Sequence, residues 1–479
     1  MWNVIRTSEA RSRLLIRAVL FGFAVSGSAC GGPGLIEGQG RRPQVARPNI
    51  VLVMADDQGW GDASFNGHPT LKTPALDRMA AEGLRFDRFY AAAAVCSPTR
   101  ASVLTGRHPF RMRIDGANSG HLPPGEFTVA ELCRELGYAT GHFGKWHLGT
   151  LTRDVIDSNR GGRPKQSQHH SPPWEHGFER CFSTEAKVPT WDPMLNPTNG
   201  EPYGTRYWNE RGEVVTDNLE GDDSRIITDR VLPFITTAAS EQRPFLAVIW
   251  FHAPHRPVVA GPDHEALYPR TERADLRRYL AVVTAIDESL ARLRAHLREL
   301  GLGEDTLLWY ASDNGPEGSA REGQGSTAGL RGRKRSLYEG GVRVPGLLLW
   351  PAGIPEPRRL ACPASTLDIL PTLAELLGVG LAPERPLDGV SLLPLFTKDG
   401  PDERPGRSAL PFLSPKAAAL HVGTMKAIRP ERNGAWELYD LSSDPREARD
   451  LAAERPDELA QLVGRFEAWR IGAQESRER

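Results

Sequence analysis

Four short runs of apolar residues lie along the chain, and each predicts a β-strand that is buried on both faces. These runs are Asn49–Met54, Phe245–Phe251, Thr306–Ala311 and Gly346–Trp350, and a further strand is predicted around Ala139–Phe143. Apolar residues at helical spacing predict helices over Pro74–Phe86, Phe127–Leu136, Ala274–Leu300 and Leu367–Leu377. Continuous apolar strands that alternate with helices are typical of a mostly parallel sheet flanked by helices. The pattern therefore predicts an α/β fold.

Polar clusters stand directly after several of these strands. Asp56-Asp57 follows the first strand, His252–His255 follows the strand that begins at Phe245, and Asp313-Asn314 follows the strand that begins at Thr306. Because the carboxyl ends of parallel strands meet at one edge of a sheet, we expect these clusters to converge there. That edge is where open α/β sheets bind their ligands.

The two acidic clusters predict a cation site. Asp56, Asp57, Asp313 and Asn314 offer three carboxylates and an amide oxygen, with no pair of thiol or imidazole ligands beside them. Such an oxygen-rich set suits calcium or magnesium. Asp and Asn are common in turns, so either pair alone favours a plain turn. Two such pairs at matching strand ends favour the metal site.

Two further regions have a different character. The segment from Val155 to Glu220 is irregular and is expected to build substrate contacts. Its aromatic residues either stack on a ring of the substrate or form a small core of their own; they are Trp174, Trp191, Tyr203, Tyr207 and Trp208. Residues 381–479 are predicted to form a smaller C-terminal subdomain after a main domain of residues 48–380. A strand at Trp436–Leu441 and a helix at Pro456–Trp469 predict an antiparallel sheet covered by a helix.

Composition limits the classes of partner. The 479 residues include 59 basic and 60 acidic side chains, and the net charge of −1 gives no global attraction for nucleic acid or for an anionic membrane. Attraction for an anionic substrate must therefore be local. Five cysteines at irregular spacing form neither a disulfide framework nor a zinc motif. One bridge, Cys133–Cys181 or Cys181–Cys362, remains open from the sequence.

The N-terminus predicts export. Arginines precede the apolar run Ala18–Val25, and small residues lead to Cys30. This is the pattern of a signal peptide over residues 1–30, and the run is too short to cross a membrane as a helix. Residues 31–47 read as a flexible tether. We expect a periplasmic or extracellular protein, either free or anchored by a lipid on Cys30. Gly27 stands where lipoprotein signals prefer leucine, and a lipid anchor would be the only contact with a membrane.

Cys96 carries the most specific signal in the chain. On its own, a cysteine in this setting is most often a buried, inert residue. Here Pro98 fixes the backbone and Arg100 supplies a permanent cation suited to sulfate or phosphate. The run Cys96-Ser97-Pro98-Thr99-Arg100, continued by Ala101–Arg107, resembles the signature of the type I sulfatases.

Other motifs of the same family follow in order. Asn49–Asp57 resembles its opening strand, Gly141–Gly149 its second signature, His252–His255 its histidine motif, Asp313–Gly315 its later calcium motif and Gly332–Gly341 its lysine motif. The resemblance covers roughly residues 48–378, with a typical strand at Leu438–Leu451. It is of the arylsulfatase and N-acetylgalactosamine-6-sulfatase kind, and it implies the fold of the alkaline phosphatase superfamily.

The resemblance implies two prosthetic elements. A formylglycine-generating enzyme would oxidise Cys96 to 3-oxoalanine (formylglycine), whose hydrated gem-diol attacks sulfur. One calcium ion would be held by Asp56, Asp57, Cys96, Asp313 and Asn314, and it would help to deprotonate the attacking oxygen.

The resemblance also implies roles for the remaining motif residues. Arg100 and Lys145 would fix the diol and balance the charge of the aspartates. Lys334 and His255 would hold the sulfate, one of them protonating the leaving oxygen. His147 would take a proton from the second diol hydroxyl. Lys145, His252, His255 and Lys334 are the candidate substrate contacts, although His252 is equally compatible with a supporting hydrogen-bond role.

The implied activity is hydrolysis of a sulfate ester, either a sulfated carbohydrate or an aryl sulfate. One alternative is a phosphatase or phosphodiesterase of the same superfamily, which would use Ser or Thr with zinc bound by Asp and His. The cysteine at the nucleophile position and the Asp-rich metal set argue against it. A second alternative is an inactive exported binding protein, and the retention of every motif argues against that.

Overall fold

The computed structural model describes residues 47–319, 321, 324–381, 385–407 and 409–478. The predicted signal peptide, the tether up to residue 46 and the lipid anchor at Cys30 lie outside these residues. Within the described part of the chain, no helix combines the length and the apolar character needed to cross a membrane.

A ten-stranded sheet forms the centre of the large domain. Its strands are β1 (Asn49–Ala55), β2 (Leu84–Tyr90), β3 (Ala139–Lys145), β4 (Arg180–Thr184), β5 (Tyr207–Asn209), β6 (Phe245–Trp250), β7 (Thr306–Ser312), β8 (Arg343–Val344), β9 (Gly346–Leu349) and β10 (Arg358–Ser365). The order across the sheet is β10-β2-β9-β7-β1-β6-β3-β4-β5, with β8 paired to β2. Strands β5, β8 and β9 run against the other strands of this sheet. The prediction of a mostly parallel sheet is therefore confirmed.

Strand β1 lies near the middle of the sheet, and its sequence explains why. All seven of its residues are buried. Val51 pairs in parallel with Ala247 of β6 on one side and with Leu308 of β7 on the other. The unbroken run of apolar side chains from residue 50 to residue 55 suits a strand with neighbours on both edges and helices on both faces.

Helices cover both faces of the ten-stranded sheet. The helices of the described residues are α1 (Pro74–Glu82), α2 (Cys96–Thr105), α3 (Val129–Glu135), α4 (Asp223–Ser240), α5 (Pro262–Ala266), α6 (Ala274–Glu299), α7 (Glu339–Val342), α8 (Ile369–Leu376) and α9 (Pro456–Glu478), and six of them pack on this sheet. Helices α2, α3 and α8 contribute to one apolar core, and α1, α4 and α6 contribute to the other. The sheet separates the two cores, as expected for a layered α/β domain.

The helix predicted over Pro74–Phe86 is wrong at its end. Helix α1 stops at Glu82, and Leu84–Tyr90 forms β2. Gly83 ends the helix and passes close to β9, where a side chain would place its Cβ 2.3 Å from the carbonyl oxygen of Leu348. Pairing with β9 and β10 therefore overrides the helical pattern of this segment.

The C-terminal sheet agrees with its prediction. It consists of β11 (Leu410–Leu413), β12 (Ala418–Val422), β13 (Met425–Arg429) and β14 (Glu437–Asp440). The four strands are antiparallel and consecutive. Helix α9 covers the sheet, because Phe466 packs on Ala418 and Leu420. The preceding residues Leu392 and Phe396 pack in the core of the large domain.

The described cysteines are free. Cys96, Cys133, Cys181 and Cys362 are all buried thiols. Neither bridge that the sequence left open is therefore present in the structure. Cys133, Cys181 and Cys362 lie in the large apolar core, where they pack as small hydrophobic residues.

The aromatic residues of the irregular segment are divided between core and surface. Tyr207 and Trp208 are buried, and the Tyr207 ring stacks on Phe182 with 3.9 Å between ring centroids. Trp174, Trp191 and Tyr203 are partly exposed. Tyr207 and Trp208 are therefore core residues, but the prediction of a small core within the segment is wrong for them, because each belongs to one of the two large apolar cores of the domain.

Candidate active site

The predicted acidic clusters meet at the carboxyl edge of β1 and β7. Asp56 and Asp57 follow β1, and Asp313 and Asn314 follow β7. The backbone N–H of Asp57 donates to Oδ1 of Asp313 at 3.0 Å, and Nδ2 of Asn314 donates to Oδ1 of Asp57 at 2.6 Å. These contacts join the ends of the two neighbouring parallel strands. Asp57 adopts a left-handed conformation (φ 70°), which is uncommon for a residue other than glycine.

Three buried cations balance these carboxylates. Nη2 of Arg100 lies 2.7 Å from Oδ2 of Asp313, and Nζ of Lys145 lies 2.5 Å from Oδ2 of Asp56. Nζ of Lys334 lies 2.7 Å from Oδ1 of Asp57. Buried charges are stable only when they are paired, so the site forms one interdependent charge network.

The pKa values of Asp56 and Asp313 are shifted in opposite directions. Burial opposes the charge on Asp56, but Lys145 and His255 overcome this and hold its pKa well below the usual range. Burial, together with the nearby charge of Asp56, raises the pKa of Asp313 to about 7. A further cation between these groups would favour the charged form of each.

The site contains oxygen atoms suited to a metal ion. Ligand atoms of Asp56, Asp57, Cys96 and His255 all lie within 4.8 Å of one another. Oδ1 of Asp56 and Oδ1 of Asn314 are buried without a hydrogen-bond partner among the described residues. Buried acceptors normally have a partner, so these two oxygens fit a hard cation such as calcium. The Cys96 sulfur stands here for the oxygen that formylglycine would present.

Cys96 is the first residue of α2 and is 1% exposed. Burial raises the pKa of its thiol to about 12. The first turn of an α-helix leaves backbone N–H groups unpaired and favours negative charge beside it. An anionic group at this position is therefore stabilised by the helix as well as by the surrounding cations.

Two further predicted site residues, Lys145 and His147, lie at the end of strand β3 and directly after it. Gly144 (φ 103°) allows β3 to approach β6, since a Cβ there would lie 2.0 Å from the carbonyl oxygen of Trp250. Nη1 of Arg100 donates to the carbonyl of Lys145 at 2.9 Å, which ties α2 to β3. Burial, reinforced by the positive charge of Lys145, holds the pKa of His147 well below its usual value.

The two histidines after β6 have different positions. His252 is fully buried, with its ring nitrogens 2.7 Å from Oγ1 of Thr184 and 2.8 Å from Oδ2 of Asp223. These contacts leave no ring nitrogen for a substrate, so the supporting role fits His252. Nδ1 of His255 donates to the carbonyl of Arg256 at 2.6 Å, and Nε2 lies 3.6 Å from Oδ2 of Asp57. Burial lowers the pKa of His255 to about 4.

The segment that carries Lys334 is anchored to the site through its backbone. The N–H of Lys334 donates to the carbonyl of Pro316 at 3.1 Å, and the N–H of Arg335 donates to the carbonyl of Ala94 at 2.8 Å. Gly315 allows close packing, because a Cβ there would lie 2.0 Å from the carbonyl oxygen of Gly340. The position of Lys334 therefore depends on contacts with two segments, the one that follows Asn314 and the one that precedes Cys96.

A second buried charge cluster joins this segment to the C-terminal sheet. Nζ of Lys426, in β13, lies 3.1 Å from Oε1 of Glu339 and 2.7 Å from Oε1 of Glu447. All three side chains are 0% exposed. The N–H of Glu339 also donates to Oε2 of Glu447 at 2.7 Å. The C-terminal sheet therefore holds the residue that begins α7, five positions after Lys334.

Replacing Lys426 with methionine is expected to destabilise the protein by about 3–5 kcal/mol, because two buried carboxylates would lose their common cation. Chemical denaturation, monitored by tryptophan fluorescence, would measure this change in the free energy of unfolding. The matched control is Lys416→Met, since Lys416 is exposed in the turn between β11 and β12 and its replacement should change stability by no more than about 0.5 kcal/mol. Equal changes in the free energy of unfolding for the two variants would show that the ion pairs of Lys426 with Glu339 and Glu447 do not stabilise the protein.

Several residues of the site were not predicted from the sequence. The guanidinium of Arg100 lies over the ring of Trp250, 5.1 Å from its centroid. Glu317 lies 3.7 Å from Nζ of Lys334 and 2.7 Å from Arg335. Asn118 contacts His147 from a distant loop. The position of Trp250 at the end of β6 is a signal that could have indicated a role, whereas Asn118 stands in no motif.

Family models match most of the chain. A model described as "Sulfatase" matches residues 48–379, and one described as "N-sulphoglucosamine sulphohydrolase, C-terminal" matches residues 332–467. The second match begins with the Lys334 segment and continues through the C-terminal sheet, the two parts that Lys426 connects.

Similar proteins agree with these matches. N-acetylgalactosamine-6-sulfatase of Mus musculus is 32% identical over 417 residues, which cover 83% of this chain and 75% of the relative. Arylsulfatase A of Homo sapiens is 34% identical over 445 residues, covering 85% of this chain and 84% of the relative. The crystal structure of Ps i-CgsB in complex with k-i-k-neocarrahexaose superposes with a TM-score of 0.77 at 28% identity and covers 88% of this chain and 93% of that one.

Proposed function

Because the chain belongs to the sulfatase family and hydrolyses sulfate esters, we propose that it does so with calcium and with a formylglycine made from Cys96. The observation that carries this proposal is the position of Cys96 at the start of α2, among Asp56, Asp57 and His255. An unmodified thiol at residue 96 would not require so many buried charged groups around it.

Calcium, when bound, would neutralise negative charge and acidify an oxygen attached to residue 96. Asp56, Asp57, Asp313 and Asn314 would hold it, and the two unpartnered oxygens of Asp56 and Asn314 support this assignment. The aldehyde would supply a hydrated carbon with two hydroxyls, which a cysteine or serine does not offer. A formylglycine-generating enzyme is therefore a required partner during maturation.

The protein's own side chains would bind and orient the sulfate. Lys334 and His255 both lie next to Asp57, with Nζ of Lys334 2.7 Å from Oδ1 and Nε2 of His255 3.6 Å from Oδ2. From there they would hold the sulfate, Lys334 by its positive charge and His255 by a hydrogen bond, and one of them would give a proton to the departing alcohol. General acid catalysis of this kind typically contributes about 10² to 10⁴ in rate. Lys145 and Arg100 are held by Asp56 and Asp313, and they would keep the reacting group at residue 96 in place.

The burial of these groups serves the reaction in a second way. Asp56, Asp313, Arg100 and Lys145 are each no more than 1% exposed, so water is largely excluded from the charged network. Fixed charges in such an environment stabilise a charged transition state more strongly than they would in water.

The test of the proposed function compares two esters of the same alcohol. We expect the calcium-loaded protein, produced together with a formylglycine-generating enzyme, to release nitrophenol from p-nitrophenyl sulfate at least about 100-fold faster than from p-nitrophenyl phosphate. The reason is that the site combines one hard-cation position with residue 96, instead of zinc with a Ser or Thr nucleophile. Faster release from the phosphate would favour the phosphatase alternative.

The substrate is proposed to be a sulfated carbohydrate, with an aryl sulfate as the simpler substitute. The support comes from N-acetylgalactosamine-6-sulfatase, whose name states a sulfated sugar, and from the complex of Ps i-CgsB with an oligosaccharide. Export to the periplasm or the cell exterior, with or without a lipid on Cys30, is proposed from the N-terminal sequence alone.

A further inference from the structure

The ring of His147 is held by a single side chain outside the motifs. Nε2 of His147 lies 3.0 Å from Oδ1 of Asn118. An amide oxygen can only accept a hydrogen bond, so Nε2 must carry the proton. Nδ1 of the same ring is buried and has no hydrogen-bond partner among the described residues. The contact therefore selects one tautomer, with the lone pair of the neutral ring on Nδ1.

The backbone keeps both partners in fixed positions. Asn118 (φ 58°) and His147 (φ 58°) are both in the left-handed conformation. Asn118 lies in a turn closed by a β-bridge between Gly116 and Ser119, and Nη1 of Arg160 donates to the carbonyl of Gly120 at 2.7 Å. The N–H of His147 donates to the carbonyl of Glu185 at 3.1 Å. These contacts hold the backbones of Asn118 and His147 in place, so that the two side chains face each other at 3.0 Å.

We propose that Asn118 is a positioning residue, which holds His147 in the tautomer whose Nδ1 accepts a proton during turnover. This inference rests on the proposed function and on the role that the family resemblance implies for His147, as the base that takes a proton from the second hydroxyl of residue 96. Which nitrogen of a histidine carries the proton is set by the hydrogen bond that the other nitrogen makes. Removing the amide oxygen would let the proton occupy either nitrogen, and rings with the proton on Nδ1 would have no base to offer.

The variant for the test is Asn118→Gly. Glycine adopts the left-handed conformation without strain, so the turn is preserved while the amide is lost. The aspartate variant Asn118→Asp keeps an acceptor oxygen at the same place. The matched control is Asn218→Gly, because Asn218 is also exposed and left-handed (φ 49°) but contacts Arg225 and Asp229, away from the site.

The first readout is the tautomer itself. Long-range ¹H–¹⁵N correlation spectra of the calcium-loaded protein, with the His147 signals assigned from a His147→Gln variant, distinguish protonated from unprotonated ring nitrogens. We expect Nε2–H alone in the parent protein, in Asn118→Asp and in Asn218→Gly, and a mixture of both tautomers in Asn118→Gly. The pure Nε2–H tautomer in Asn118→Gly would overturn the proposal.

The second readout is the rate. Because loss of a correctly oriented base costs general-base catalysis, we expect kcat of Asn118→Gly on p-nitrophenyl sulfate to fall at least about 10-fold with KM unchanged. Asn118→Asp should restore most of kcat, and Asn218→Gly should match the parent. An increase in KM at constant kcat would contradict the proposal and indicate a substrate contact. An unchanged kcat despite a mixture of tautomers would also overturn it.

The two readouts separate this inference from the function on which it rests. A parent protein that carries the aldehyde but hydrolyses no sulfate ester would refute the proposed function and, with it, the role of His147 as a base. The spectra would then still report whether Asn118 selects the tautomer.

Discussion

Replacing Cys96 with alanine is expected to abolish sulfate ester hydrolysis and to leave the protein folded. In the proposed function residue 96 is the one converted to an aldehyde, so the variant lacks the group that forms the covalent bond to sulfur. Loss of the covalent nucleophile of a serine protease lowers kcat by about 10⁶-fold, and we expect a reduction of that order.

The measurement is the release of p-nitrophenol under saturating sulfate ester, together with a thermal melting curve. Removing a small buried side chain from the start of α2 should have a modest effect on stability, since Cys96 lies beside charged groups and outside the two large apolar cores. Cys133→Ala is the matched control, because Cys133 is an equally buried free thiol in α3. It should retain full activity. Comparable losses of activity in both variants would show that the effect is structural.

Replacing Asp313 with asparagine is expected to remove the metal ion and the activity together. The substitution keeps an oxygen that can accept from Arg100, but it removes one of the negative charges that would attract the cation. Changes outside the ligands of a metal site typically weaken binding 10- to 100-fold, so we expect the loss of a ligand charge to weaken calcium binding by at least about 100-fold.

Isothermal titration of calcium into protein that has been treated with a chelator would measure this change. The control is Asp287→Asn, because Asp287 is a buried carboxylate that accepts from the N–H groups of Ala75 and Leu76, away from the site. It should bind calcium as the parent does. Parent-like calcium affinity in Asp313→Asn would contradict the assignment of the metal ligands.

Most of the reactive residues could be predicted from the sequence because of a simple property of parallel sheets. Asp56, Lys145 and Asp313 each stand at or directly after the carboxyl end of a buried strand, and such ends share one edge. Their convergence follows from the strand pattern without knowledge of the strand order. The family motifs then supplied the roles of individual residues, which the strand pattern does not contain.

The remaining features depend on contacts between distant parts of the chain. Asn118 reaches His147 across 29 positions, and Lys426 reaches Glu339 across 87. No local pattern marks either partner, since an asparagine in a turn and a lysine in a strand are ordinary. Strand β10 was also missed, because its mixture of Arg, Pro and apolar residues lacks a clear period, and its parallel pairing with β2 determines its conformation.

Contacts between distant residues also explain where the observed secondary structure and burial differ from the prediction. The helix predicted as far as Phe86 ends at Glu82 because Gly83 must pass close to β9, and the sequence of α1 does not contain that neighbour. The segment from Val155 to Glu220 reads as irregular, yet Tyr207 lies in β5 and is buried by stacking on Phe182 of β4. Tertiary contacts decide both cases.

The mass of the tryptic peptide Phe89–Arg100 from active protein tests the central claim most directly. This peptide contains Cys96 as its only cysteine. For protein that hydrolyses p-nitrophenyl sulfate, we predict a peptide that carries an aldehyde in place of the thiol and that reacts with a hydrazine reagent. An unmodified Cys96 thiol throughout fully active protein would contradict the account.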